Sequence, residues 1–153
     1  MKNLIHNLKY RNQEQIGKFL GDWYGQTIKE NGFLTEIDYV IPVPLHKKKL
    51  KKRGYNQTTL FAQQLASHLK TECWPNALIK TANTRTQTKK TRLARWYDNR
   101  SLYELSDPSL LENKNILLVD DVITTGATME ICAQTLKDVK GISIYIASMA
   151  VVS

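Results

Sequence analysis

ILLVDDVITTGATM, residues Ile116 to Met129, decides how this chain is read. Four apolar residues, Ile116 to Val119, run straight into the carboxylate pair Asp120 and Asp121. Thr124, Thr125, Gly126, Ala127 and Thr128 follow, and then an apolar segment from Met129 to Leu136 with helical spacing. A buried strand, a turn of small residues and a helix start are the expectation, with the strand at Asn115 to Val119 and the carboxylates at its carboxyl end. Such a junction offers backbone N–H groups and hydroxyls to an anion. Ionised carboxylates beside it can accept from the cis-diol of a sugar. The chemistry that fits is a phosphorylated ribose. The loop lacks a lysine and the GxxxxGK[ST] spacing of a nucleoside-triphosphate loop. An Asp-Asp pair at a strand end can also do no more than cap the next turn; the contiguous threonines argue against that here.

At 153 residues and 42% hydrophobic, the chain is expected to form a single domain spanning residues 1–153. No apolar run reaches membrane-spanning length and no signal peptide opens the chain, so no membrane insertion is expected. Cys73 and Cys132 lie far apart without a CxxC partner, which excludes a disulfide framework, gives them packing roles and points to the reducing cytoplasm. The net charge of +8 is concentrated in two blocks. One is Lys47, Lys48, Lys49, Lys51, Lys52 and Arg53, and the other runs from Lys80 to Arg100 through Arg85, Lys89, Lys90, Arg92 and Arg95. Localised positive charge suits a polyanion, whether nucleic acid, acidic lipid or a multiply phosphorylated small molecule, although such blocks are often solvated faces.

Working outward, Gln13 to Ile28 places Ile16, Phe19, Leu20, Trp23 and Ile28 at roughly helical spacing, which predicts a helix with Trp23 in the core and an end at Gly32. Ile37 to Val43 reads as a strand stopped by Pro42 and Pro44. The first basic block reads as a loop. Asn56 is the expected N-cap of a helix to about Leu69, with Leu60, Phe61 and Leu65 inward. Ala77 to Lys80 reads as a short strand. Thr81 to Thr91 reads as a long mobile loop able to close over a site, and Leu93 to Tyr103 as containing a helical turn. Ala127 to Val139 is the best helix, with Gly141 as its C-cap, and Ile142 to Val152 is a last strand. Strands alternating with helices predict an α/β fold with a mainly parallel central sheet flanked by helices. Ligands in such sheets bind at the carboxyl ends of the strands.

VDDVITTGAT resembles the signature for 5-phosphoribosyl 1-pyrophosphate (PRPP) of type I phosphoribosyltransferases. LIHNLKY (Leu4 to Tyr10), IPVPLHKKKLKKRGYNQ (Ile41 to Gln57) and QTKKTRLARW (Gln87 to Trp96) resemble segments of the ComF family, linked to competence and DNA uptake in bacteria. The resemblance implies a type I phosphoribosyltransferase fold and transfer of ribose 5-phosphate to an acceptor with release of pyrophosphate. It implies that Thr124, Thr125, Gly126, Ala127 and Thr128 hold the 5-phosphate, and that Asp120 and Asp121 hold the ribose hydroxyls and stabilise the cation-like ring. Arg53, Lys52, Lys89, Lys90 and Arg92 would face the pyrophosphate. Mg²⁺ is the implied cofactor, bound mainly through PRPP and water, with no metal site built by the protein itself. Members of the family usually carry a cysteine-rich zinc-binding segment ahead of the LIHNLKY stretch; here the chain begins almost at that stretch, so no zinc is expected. The spacing from Trp96 to Asn99 is one residue longer than the family pattern, which leaves Asn99 without a role.

His46 beside the basic block is a candidate proton carrier or simply an exposed histidine. Tyr24 and Tyr55 are candidates to stack on a base. Three classes of function follow: a Mg²⁺-dependent phosphoribosyltransferase with an unidentified nucleophilic acceptor, a non-catalytic PRPP or nucleotide sensor acting through competence-protein partners, and a binder of single-stranded DNA. A homodimer is compatible with each.

Overall fold

Helix α1, Glu14–Asn31, opens the described part of the chain; the computed structural model describes residues 14–32, 36–81 and 102–152. Strand β1 (Tyr39–Pro42), helix α2 (Lys47–Arg53), helix α3 (Gln57–Leu69) and strands β2 (Glu72–Cys73), β3 (Leu78–Lys80) and β4 (Tyr103–Leu105) follow. A 3-10 turn at Pro108–Leu111 leads into strand β5 (Asn115–Ile123), helix α4 (Ala127–Lys137) and strand β6 (Ser143–Val151). The sheet runs β2-β1-β5-β6 with every pairing parallel, while β3 and β4 form a separate antiparallel ribbon. The α/β fold with a parallel central sheet flanked by helices is therefore the one the chain adopts.

Strand β5 sits between β1 and β6, and Ile116 to Val119 have no exposed surface. Side chains alternate across a strand. Leu117 and Val119 enter the cluster built with Phe61, Leu65 and Ala66 of α3 and Ile28 of α1. Ile116 and Leu118 enter the opposite cluster, with Met129, Cys132 and Leu136 of α4 and Leu78 and Tyr103 of the ribbon. Burial on both faces explains why the strand reads as a continuous apolar run rather than an alternating one. At about 2 kcal/mol for each fully buried aliphatic side chain, these residues anchor the sheet.

Several expectations are corrected. β5 does not stop at Val119 but continues through Ile123, with Val122 and Ile123 paired to Ala150 and Val151, so the aspartates lie inside the strand. The first basic block is helix α2, not a loop. Lysine and arginine are good helix formers, the His46 side chain accepts from Lys48 N at the start, and left-handed Gly54 (φ 82°) closes the end by donating to Leu50 O. Trp23 is not core: it is 66% exposed and Phe19 69% exposed. The buried face of α1 instead carries Gly17, Gly21 and Gly25, spaced by one helical turn and laid against α3. Gly17 meets Gln57, Gly21 meets Phe61 and Gln64, and Gly25 meets His68, so the two helices run side by side in the same direction. Helix α4 ends at Lys137 with Asp138 as its C-cap, and Gly141 (φ 69°) shapes the later turn against Asn113. Leu60 is only half-buried, whereas Phe61 and Leu65 are core as expected, and Asn56 is the N-cap of α3. Tyr103 lies in β4, and the helical turn expected between Leu93 and Tyr103 falls almost wholly outside the described residues. The LIHNLKY stretch and nearly all of the expected mobile loop lie outside the described residues.

Asp38 locks the lower end of the β1–β5 pair: its carboxylate accepts from Asn115 N at 2.8 Å and from Lys114 Nζ at 3.0 Å. The Asn115 N–H, helped by Lys114 and opposed by partial desolvation, holds the Asp38 pKa below its ordinary value. A depressed carboxylate pKa contributes stability above the unfolded value, and that contribution is lost as pH falls through the folded one. Asp38→Asn should therefore lower the urea midpoint at pH 7, with the two proteins converging as pH falls through the depressed Asp38 pKa. A constant gap across that range would contradict the assignment.

A Cβ on Gly21 would stand 2.6 Å from Gln64 Cβ and 3.0 Å from Phe61 O, atoms close to a backbone that cannot yield cheaply. Gly21→Ala gains about 1 kcal/mol of helix propensity but meets an overpacking cost of about 1–3 kcal/mol. The clash should win, lowering the unfolding free energy; urea titration decides, and a stabilised variant would show that the helices are not in close contact there.

Candidate functional site

The cradle is built where β5 hands over to α4. Asp120, Thr124, Thr125, Gly126, Ala127 and Thr128 line one shallow polar depression. Gly126 is the N-cap of α4 in the left-handed conformation (φ 78°), which disfavours any L side chain, and a Cβ there would meet nothing within 4 Å. The glycine is thus needed for the turn itself, and the space in front of it is open. The N-cap Gly126 has no side chain to cap α4, and Thr125 Oγ1 accepts only weakly from Ala127 N at 3.4 Å, so the positive end of the helix borders the depression. Thr124, Thr125 and Thr128 are exposed. Glu130 lies in the first turn of α4, where its carboxylate accepts from Gln134 one turn along.

The two aspartates part company. Asp120 is half-buried, belongs to the cradle, and its Oδ1 accepts from Asp121 N at 2.8 Å. Asp121 is only 6% exposed and points to the α1–α3 face, where Oδ1 accepts from Val122 N at 2.7 Å and Oδ2 accepts from Gln57 Nε2 at 2.7 Å. An unpartnered buried carboxylate costs several kcal/mol. Two charge-assisted hydrogen bonds, each worth about 1.5–3 kcal/mol, offset much of that.

Gln57 was not anticipated as a site residue. It is 5% exposed, and its Oε1 accepts from Arg53 Nη1 at 2.9 Å. Arg53, a predicted pyrophosphate residue, is therefore connected through one buried amide to the strand carboxylate. The only hint in the sequence is an amide one turn after Arg53 at a helix start; periodicity says nothing about where such a group points. Lys52 is exposed on α2, while Lys89, Lys90 and Arg92 lie outside the described residues.

Beneath Asp120, on the ribbon side, Lys80 Nζ donates to the Tyr103 hydroxyl at 2.9 Å and sits 5.0 Å from that ring's centroid. Burial, then Lys49, lowers the Lys80 pKa, while Cys132 and Asp120 oppose the shift. Burial pushes the Cys132 thiol up to about 12, with Asp120 adding to the effect and Tyr103 and Lys80 opposing it. Cys73 is pushed up to about 11, chiefly by burial and then by Glu72. Neither free thiol is a ready nucleophile, in keeping with packing roles. His46 Nδ1 accepts from Lys48 N at 3.2 Å, which makes it a cap for α2. Tyr24 stacks on Phe61 with centroids 6.1 Å apart, and Tyr55 lines a separate cleft of about 520 Å³ beside α2. Among the described residues, no three His, Cys, Asp or Glu side chains gather as a metal site, and no helix is long and apolar enough to cross a membrane.

The phosphoribosyl transferase domain model matches residues 57–151, a span that contains the cradle, both aspartates and Gln57. The chain belongs to the phosphoribosyl transferase domain family. Similar curated proteins carry the names anticipated by the ComF resemblance. DNA utilization protein YhgH of Escherichia coli O157:H7 is 29% identical over 136 residues, which are 87% of this chain and 59% of that protein. Competence protein F of Haemophilus influenzae is 28% identical over 138 residues, covering 88% of this chain and 60% of that protein. Competence protein ComFC of Bacillus subtilis is 29% identical over 158 residues, covering 99% of this chain and 59% of that protein. The chain thus spans about three-fifths of the length of these relatives. Among solved structures, a glutamine PRPP amidotransferase from B. subtilis, complexed with ADP and GMP, is similar with a TM-score of 0.65 at 16% identity, covering 95% of this chain and 30% of that one. Adenine phosphoribosyltransferase from Saccharomyces cerevisiae gives a TM-score of 0.58 at 17% identity, covering 94% of this chain and 72% of that one. These likenesses establish the fold as that of type I phosphoribosyltransferases.

Proposed function

We propose that the protein binds PRPP and transfers its ribose 5-phosphate to a nucleophilic acceptor, releasing pyrophosphate. The observation that carries this reading is the convergence of Asp120 with the open threonine turn and the uncapped start of α4 in one depression. A 5-phosphate suits that end, because N–H groups and hydroxyls are directed donors for a dianion. The Asp120 carboxylate suits a ribose hydroxyl. In the transfer, the acceptor's electron pair forms the new bond to C1 as the bond from C1 to the pyrophosphate oxygen breaks. Positive charge develops on the ring, and Asp120 lies where its negative potential stabilises it. Arg53 at the end of α2 offers planar donors suited to a diphosphate. Mg²⁺, if carried in by PRPP, would neutralise the leaving pyrophosphate. The donor set fits a ligand-borne ion: Asp120 is a single half-buried carboxylate, and Asp121 is turned to the other face and bonded to Gln57. Asp121 then acts behind the site rather than on the ring, unlike the simplest expectation for the pair.

Isothermal titration of Mg²⁺ and PRPP into the protein should give saturable binding, and Asp120→Asn should weaken it by roughly tenfold or more. Absence of heat at millimolar PRPP would sink the reading, and unchanged affinity in the variant would remove Asp120 from it. A pyrophosphate assay over a panel of bases and amines separates transferase from sensor: binding with no release in any mixture favours the sensor.

Helix α2 supports a second reading, contact with a larger polyanion such as single-stranded DNA, because Lys47, Lys48, Lys49, Lys51 and Lys52 are all exposed. Oligonucleotide affinity should then fall linearly with salt on a log–log plot, and Lys48→Glu with Lys51→Glu should flatten the slope by roughly 1 to 2. No binding at low salt would remove this reading.

A further inference from the structure

We infer that Gln57 is a positioning residue that locks Arg53 and Asp121 into one unit, so that the pyrophosphate end and the ribose end of the site respond together. The inference rests on the PRPP reading for its ligands, but the lock itself is a property of the free protein. Gln57 stands where a guanidinium and a carboxylate approach from opposite sides. It meets the first with Oε1 at 2.9 Å and the second with Nε2 at 2.7 Å. Only an amide of this length does both: a carboxylate cannot donate to Asp121, an ammonium cannot accept from Arg53, and asparagine is one methylene short. Its neighbours also settle its orientation, since flipping the amide would set acceptor against acceptor and donor against donor.

The backbone beneath it is held on several sides. Asn56 donates from Nδ2 to Val43 O at 3.0 Å and accepts from Thr58 N at 3.2 Å, which fixes the start of α3 to the exit of β1. Helix α1 presses from behind, where a Cβ on Gly17 would stand 3.3 Å from Gln57 O. A direct Arg53–Asp121 ion pair would join the two groups more simply, but it would neutralise the guanidinium. The neutral amide links the two groups without adding a charge of its own, and it takes one Nη1 hydrogen of Arg53. A displacement of Arg53 as it meets a diphosphate is transmitted through two short bonds to Asp121, whose Oδ1 holds the backbone of Val122 on the strand leading into the phosphate turn.

The test has a ligand-free arm and a ligand arm, both on the full 153-residue chain. In the free protein, the side-chain N–H resonances of Arg53 should shift in Gln57→Met and also in Asp121→Asn, although Asp121 lies one residue further along the chain of contacts. Unchanged resonances in either variant overturn the lock. In the ligand arm, Mg²⁺–PRPP affinity is measured for Arg53→Ala, Asp121→Asn and the double variant. The combined loss should depart from the product of the single losses by about tenfold, and in a Gln57→Met background the losses should simply multiply. Simple multiplication in the otherwise unaltered protein overturns the coupling. Melting curves accompany each variant. Should Gln57→Met not fold, Gln57→Asn serves instead: it keeps a neutral amide but falls one methylene short of spanning both partners, so the Arg53 resonances should shift and the coupling should vanish. If the unaltered protein does not bind PRPP, the functional reading fails, and the resonances alone decide whether the lock exists.

Discussion

Period two along β5 is the constraint on which the site depends. Strand β5 is buried on both faces, so its register admits no slip, and adjacent side chains must go to opposite sides. Asp120 therefore follows Ile116 and Leu118 toward α4 and the ribbon, and Asp121 follows Leu117 and Val119 toward α3. Two neighbouring carboxylates become chemically unlike through geometry alone. One borders the open cradle; the other is withdrawn into a hydrogen-bonded interior.

The same alternation explains what was legible in the sequence. The apolar run, the threonine turn and the helix start at Ala127 were readable because each rests on local chemistry that tertiary contacts do not override. The division of labour between Asp120 and Asp121 was also within reach, since Val122 and Ile123 continue the apolar strand beyond them. A carboxylate pair after an apolar run reads as a strand terminus, whereas hydrogen bonds from Val122 N and Gln57 let the chain carry Asp121 through the interior.

Helix α1 shows the opposite case. Its apolar residues have helical spacing, and the inference that they face inward is the ordinary one. Here Ile28 is inward and Leu20 packs beside it, but much of the inward face is a line of glycines, because α3 comes so close that a single added Cβ at Gly21 or Gly25 would collide with it. Phe19 and Trp23 are left outside. Small residues at four-residue spacing can mark the approach of another helix as surely as large ones, but only a partner in view distinguishes that from weak helix propensity. Helix α2 was hidden for a related reason: a run of lysines with no apolar face offers no periodicity, and its caps, His46 and Gly54, are weak signals until both are seen to act.

Charge and donors are distributed over the molecule in a way that separates attraction from recognition. Among the described residues, the cradle is lined by no lysine and includes an aspartate, so these residues offer a dianion little net charge. What it offers is directed: the start of α4, exposed threonine hydroxyls and the open space before Gly126. Such donors reward a ligand of the right shape and give little to a diffuse anion. Among the described residues, the densest run of positive charge lies on α2, which follows β1 and can draw anions from beyond contact distance, since screening at physiological salt acts over about 8 Å. On the proposed reading, α2 would attract without regard to shape and the turn would select by it. A ligand spanning the two would have to satisfy both at once, which calls for a rigid relation between them. Among the described residues, one side-chain route from α2 to β5 runs through Gln57.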